Sequence, residues 1–132
     1  MFALEQLTVA HNEADLDAWS TSVDHIRATP GFGAMDWPDE PMTLARNELD
    51  LRQHEVDFAN RAGFTYSVVN RPGGRVIGCV YIYPPTRPGV DADVRSWVRA
   101  SHAELDTPLY EAVTFWLQTQ WPFKSFDYAA RY

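Results

Sequence analysis

The turn Asn70-Arg71-Pro72-Gly73-Gly74 constrains this chain more than any other segment. Proline fixes one φ and the two glycines can take positive φ, so the runs on either side are held as two antiparallel strands. These runs are Phe64-Thr65-Tyr66-Ser67-Val68-Val69 and Arg75-Val76-Ile77-Gly78-Cys79-Val80-Tyr81-Ile82-Tyr83. Pro84-Pro85-Thr86-Arg87-Pro88-Gly89 cannot continue the second strand, because three prolines remove three ladder donors. A third strand, Val94 to Ala100, leads directly into a helix from Pro108 to about Gln120 with apolar residues at Leu109, Ala112, Val113, Trp116 and Leu117.

Upstream, Phe2 to Val9 reads as a first strand. Asn12 can cap a helix whose inward stripe is Leu16, Trp19, Val23 and Ile26, and Thr29-Pro30-Gly31 stops it. Phe32 to Pro41 is a loop carrying Phe32, Met35 and Trp37, aromatic and apolar residues that a merely solvated loop would waste. Thr43 can cap a second helix with Leu44, Leu51 and Phe58 seven apart and Leu49, Val56 and Ala62 widening the apolar face; Gly63 stands where a left-handed residue closes a helix. Ser125 to Ala130 reads as a last strand, with Phe126, Tyr128 and Ala130 on one side. The order is β-α-α-β-β-β-α-β, an α+β fold with a mixed, mostly antiparallel sheet and helices on both faces.

A chain of 132 residues, 45% hydrophobic and 14% aromatic, fits one domain with its own core. The net charge of -7 is spread without acidic or basic blocks, which argues against nucleic acid and anionic membrane as partners. Cys79 is the only cysteine and lies inside the most apolar strand, so it reads as a small buried hydrophobe in a reducing compartment. The opening Met1-Phe2-Ala3-Leu4-Glu5 has neither a basic start nor a long apolar run, and no stretch approaches the roughly 20 apolar residues that span a bilayer. A cytoplasmic location is the expectation. His11, His25, His54 and His102 are scattered, so no metal site is expected.

Hairpin, strand, then helix resembles the cofactor-binding half of the GNAT N-acetyltransferase superfamily. The resemblance implies a single GNAT-like domain over residues 1–132, lacking the family's usual last helix and two strands, with acetyl-CoA as cofactor. It implies that the backbone of Trp97, Val98 and Arg99 pairs with the pantetheine arm and that the pyrophosphate sits on the N-terminus of the following helix, where free N–H groups attract an anion. The family's Gln/Arg-x-x-Gly-x-Gly/Ala loop is degenerate here. The junction His102-Ala103-Glu104-Leu105-Asp106-Thr107-Pro108-Leu109-Tyr110 has no glycine: aligned on the strand it places Ala103, Asp106 and Pro108 at the signature positions, aligned on the helix stripe Leu105, Pro108 and Tyr110, and either way Glu104 and Asp106 lie close to the phosphates. Thr107 as N-cap, Pro108 at the first helical position and Glu111 in the first turn would satisfy the helix start. The cofactor set that the resemblance implies is Trp97, Val98, Arg99, His102, Thr107, Leu109 and Tyr110, with Arg99 and His102 supplying positive charge.

For chemistry, the resemblance implies a strand carboxylate that takes a proton from an amine and a tyrosine that protonates the departing thiolate. Asp93 is better placed than Asp127 for the first role, although an ion pair with Arg95 would also explain it. Tyr128 or Tyr132 would fill the second. Phe32, Met35 and Trp37 are the expected acceptor contacts. Two readings stand: an acyltransferase moving an acetyl group to a small-molecule or protein amine, and a non-catalytic GNAT-fold binding or interaction protein. The aromatic edge at Phe126 and Tyr128 predicts a homodimer.

Overall fold

The computed structural model of the chain describes residues 2–33 and 42–131. Its strands are β1 (Phe2–Gln6), β2 (Phe64–Asn70), β3 (Val76–Tyr83), β4 (Asp93–Val98) and β5 (Asp127–Tyr128). Its α-helices are α1 (Asn12–Ser20), α2 (Val23–Ala28), α3 (Leu44–Ala59) and α4 (Asp106–Gln120). The five strands form one sheet in chain order; the first four pair antiparallel and β5 runs parallel to β4. The succession of strands and the fold class match the expectation from the sequence.

Alternation along the strands divides the interior into two clusters. Val68, Val80, Ile82, Val94 and Val98 face α4 and pack on Leu109, Val113 and Leu117. Val69, Val76, Cys79 and Trp97 face the other way and pack on Ala18 and Trp19 of α1, Val23 and Ile26 of α2, and Phe32. In β3, Ile77 is an extra residue at the step where Val68 pairs with Gly78 and Val69 with Val76, a bulge that lets both faces stay filled. Gly78 is obligatory for close strand approach: a Cβ there would lie 2.3 Å from the Trp97 carbonyl oxygen.

Four local expectations change. The helix read as one from Asn12 is two, because the Thr21 hydroxyl donates back to the Asp17 and Ala18 carbonyls and the Ser22 hydroxyl accepts from the Ala100 N–H. The left-handed residue after α3 is Arg61, at φ 58, and not Gly63. Gly63 is instead demanded by contact, since its Cβ would fall 2.2 Å from the Tyr83 ring. At α4, a 3-10 turn over Ala100–Leu105 feeds the helix, which starts at Asp106 with Leu105 before it and no side-chain cap. Thr107 is therefore inside the first turn, and Pro108 is tolerated there because the first four N–H groups lack intrahelical partners anyway.

The fourth change is the inward face of α3. Leu51 is buried as expected and the Thr43 hydroxyl accepts from the Arg46 N–H, but Leu44, Leu49 and Val56 are exposed. The buried partner of Leu51 is Asn47. Its amide donates to Asn12 Oδ1 and Asp15 Oδ2, and its oxygen accepts from Trp19 Nε1. α3 is therefore tied to the molecule through polar groups that an apolar-stripe reading overlooks.

Candidate functional site

A cavity of about 590 Å³ lies between α3 and the β3–β4 face that α4 does not cover. Strand alternation puts Tyr81 and Tyr83 of β3 and Asp93 and Arg95 of β4 on this face; α1 adds Asp15, and α3 adds Asn47, Asp50, Leu51 and His54. Phe32 forms part of the wall and meets Tyr81 edge-on with ring centroids 6.4 Å apart. Three carboxylates and two phenols around a space of this size suit a small cationic or N–H-bearing ligand. The carboxylates differ in setting. Asp93 is paired with Arg95 at 3.2 Å, whereas Asp15 is buried and pushed up to about 6 by desolvation, with the Asn47 hydrogen bond opposing.

His54, Tyr83 and Asp57 form a chain at one end of the cavity. Tyr83 Oη donates to Asp57 Oδ2 at 2.9 Å, and His54 Nδ1 lies 2.8 Å from the same phenol oxygen and 3.1 Å from Thr65 Oγ1. Burial pushes the His54 imidazole below its ordinary range, with Asp57 and Asp50 pulling the other way. Burial likewise raises Tyr83 to about 12. Gly63 makes room for the Tyr83 ring, so the hairpin's approach to the end of α3 sets this chain.

On the opposite side of β4, pairing with β5 stops at Val94 and Tyr128. The gap that opens beyond them is where the resemblance expects the pantetheine arm. Arg131 lies in it. Its Nη2 donates to the Ser96 carbonyl at 2.7 Å and to Ser96 Oγ at 3.3 Å, its Nε to Asp106 Oδ2 at 2.8 Å, and its Nη1 to the Ala129 carbonyl at 2.7 Å and the Pro30 carbonyl at 3.3 Å. The guanidinium also lies over the rings of Tyr128 and Tyr110, and the side chain is 2% exposed. The gap and the N-terminus of α4 are thus closed by one residue that sequence reasoning missed.

The residues expected around a cofactor are dispersed. The Arg99 N–H is taken by the Ile77 carbonyl in the β3 ladder, and its buried guanidinium pairs with Asp17. Trp97 Nε1 donates to Tyr81 Oη across the cavity-side face, while Val98 and Leu109 are core. His102 accompanies Ser101 at the surface with Nδ1 3.0 Å from Ser101 Oγ, Thr107 is half-buried, and Tyr110 packs on Tyr128 with centroids 4.6 Å apart. Tyr128 Oη is 2.5 Å from Ser96 Oγ on the α4 side, with burial raising it to about 12. Asp93 lines the cavity on the other side of the sheet, so the structure does not bring Asp93 and Tyr128 together. Asp127 is held by Arg87 at 2.8 and 2.9 Å. Met35, Trp37 and Tyr132 fall outside the described residues. Among the described residues no group of His, Cys, Asp or Glu could hold a metal ion, and no helix is long and apolar enough to cross a membrane.

A mixed α+β fold with a mostly antiparallel five-stranded sheet and helices is shared with solved acetyltransferases. The chain has the GNAT fold. A ribosomal-protein-alanine N-acetyltransferase from Brucella melitensis matches 99% of this chain and 81% of its own at a TM-score of 0.58 and 12% identity. The microcin C7 self-immunity acetyltransferase in complex with acetyl-CoA and AMP matches 89% of this chain and 61% of its own, at 0.66 and 13%. A ribosomal alpha-N-protein acetyltransferase in complex with coenzyme A matches 90% and 65%, at 0.67 and 10%. This GNAT-fold chain spans about three-fifths of the length of the first structures it resembles. No family model and no curated protein matches its sequence.

Proposed function

We propose that this chain is an acyltransferase-like protein that takes an amine in the cavity between α3 and the β3–β4 face. The observation that carries the reading is the lining: Asp15, Asp50 and Asp93 converge on a space walled by Tyr81 and Tyr83. Carboxylates attract an ammonium group, and aromatic faces tolerate both its charge and an apolar body. Phe32 belongs to the same wall, so the acceptor contact expected there is part of the proposal.

Acetyl-CoA is the donor the fold suggests, and structures of similar fold have been solved with acetyl-CoA and with coenzyme A. The residues of this gap do not fit it as they stand. Arg131 uses the Ser96 carbonyl that an arm along β4 would need, and Asp106 occupies the helix start where a diphosphate would need positive charge. The same contacts favour a second reading, a GNAT-fold protein that binds an amine without transferring an acyl group.

Thermal unfolding with benzylamine and with acetyl-CoA, separately and together, tests both. A ligand at about 100 times its dissociation constant stabilises by roughly 2.7 kcal/mol. Stabilisation by both supports the acyltransferase reading; stabilisation by benzylamine alone supports the binding protein; no response to benzylamine overturns the amine pocket.

A further inference from the structure

We infer that His54 Nε2 is a proton acceptor built into the cavity, its lone pair fixed there by the Asp57–Tyr83 pair. Tyr83 has one hydroxyl hydrogen and gives it to Asp57 Oδ2 at 2.9 Å, a charged acceptor that outcompetes a neutral imidazole nitrogen. At 2.8 Å from that oxygen, His54 Nδ1 can then only be the donor, so the ring hydrogen sits on Nδ1. Thr65 adds its hydroxyl to the same cluster, 3.1 Å from Nδ1. Nε2 is left as the basic nitrogen of a ring that lines the cavity.

Charges facing this ring are consistent with the role. Asp50 and Asp57 on α3 favour the imidazolium once formed, while burial keeps the resting ring neutral. Asp15 of α1 and the Asp93–Arg95 pair of β4 complete the set around the cavity.

On the amine reading proposed above, on which the choice of substrate rests, the step is one proton transfer. An ammonium N–H bond breaks, its electron pair stays on the ligand nitrogen, and the proton joins Nε2. The ring becomes imidazolium and the ligand a neutral nucleophile. Return of the proton to water through the open cavity resets the ring. Asp57 and the Tyr83 hydroxyl exchange no proton with the ligand in this scheme; they act on it only by positioning the imidazole.

The test uses the full chain. Nitrogen-15 NMR at neutral pH should give a protonated Nδ1 and an unprotonated Nε2 for His54, and Tyr83→Phe should convert this to a mixture of tautomers with the fold intact. Diethylpyrocarbonate should modify His54 in the folded protein at a rate within about tenfold of surface His102, located by mass spectrometry. A protonated Nε2 in the wild type, or a His54 that resists the reagent while His102 reacts, overturns the inference and leaves the amine cavity standing. A His54 that behaves as described in a protein that ignores benzylamine sinks the amine reading and leaves the base standing.

Discussion

Arg131 donates to the Ser96 carbonyl at 2.7 Å on the side of β4 from which β5 has already diverged. One side chain thereby does what a continued strand would do, and it is held there by Asp106 and two tyrosine rings. The contact makes access to the β4 edge conditional on the position of a single guanidinium.

Removing that guanidinium should therefore cost stability and open the gap. Arg131→Ala leaves Asp106 without its cation, and Asp106 Oδ1 already lacks a partner in a buried setting, so we expect a loss of about 2–4 kcal/mol. Adding Asp106→Asn should recover at least half of it. If acetyl-CoA uses this gap, the double variant should bind it at least tenfold more tightly than the wild type in calorimetry. Unchanged affinity would show that Arg131 does not control entry.

Asp15 sets a pH signature. Its carboxyl titrates at about 6 in the folded chain against the model-peptide value of 3.8, so its contribution is full below about pH 4 and is lost as pH rises through 6. Asp15→Asn keeps the acceptor for Asn47 and stays neutral. In urea melts it should match the wild type at pH 4 and exceed it by about 2–3 kcal/mol at pH 7. His54 acts in the opposite sense: its lowered value favours folding as pH rises towards 6.5, so it offsets part of the Asp15 slope in the wild-type profile.

Gly63 controls the cavity's basic end. Gly63→Ala forces the Tyr83 ring away from a Cβ that would otherwise sit 2.2 Å from it. We expect about 1–3 kcal/mol of destabilisation and a weakened His54 contact, read as loss of the single His54 tautomer in the NMR spectrum. Retention of that tautomer would show that the ring adapts without moving its oxygen.

Asn47 should be among the most sensitive positions on α3. Asn47→Leu removes partners from Trp19 Nε1, Asn12 and Asp15 in a buried setting, for which about 2–4 kcal/mol is expected in chemical denaturation. Leu49→Ala, on the exposed face, should stay within about 0.5 kcal/mol.

The hairpin, the strand order and the α4 stripe were legible because each is written in local chemistry: Pro72-Gly73-Gly74 for the turn, alternation for the faces, three- and four-residue spacing for Leu109, Val113 and Leu117. Asp93 and Phe32, which line the cavity, were singled out through the family resemblance and not through any spacing. His54, Asp57 and Tyr83 were not. Their meeting depends on how α3 lies across the sheet, and nothing in the spacing of three common polar residues encodes it. Arg131 was missed for a plainer reason: a lone arginine gives no periodic signal, and its partners come from β4, α4 and the segment before Phe32.

The polar seam beneath α3 has a dynamic corollary. α3 buries Leu51 and packs Phe58 on Phe64 and Tyr66, but Leu49 and Val56 face water and much of its attachment is polar, through Asn47, His54 and Asp57, so its amide protons should exchange with deuterium ahead of those in β3. The wall of the cavity would then double as its door.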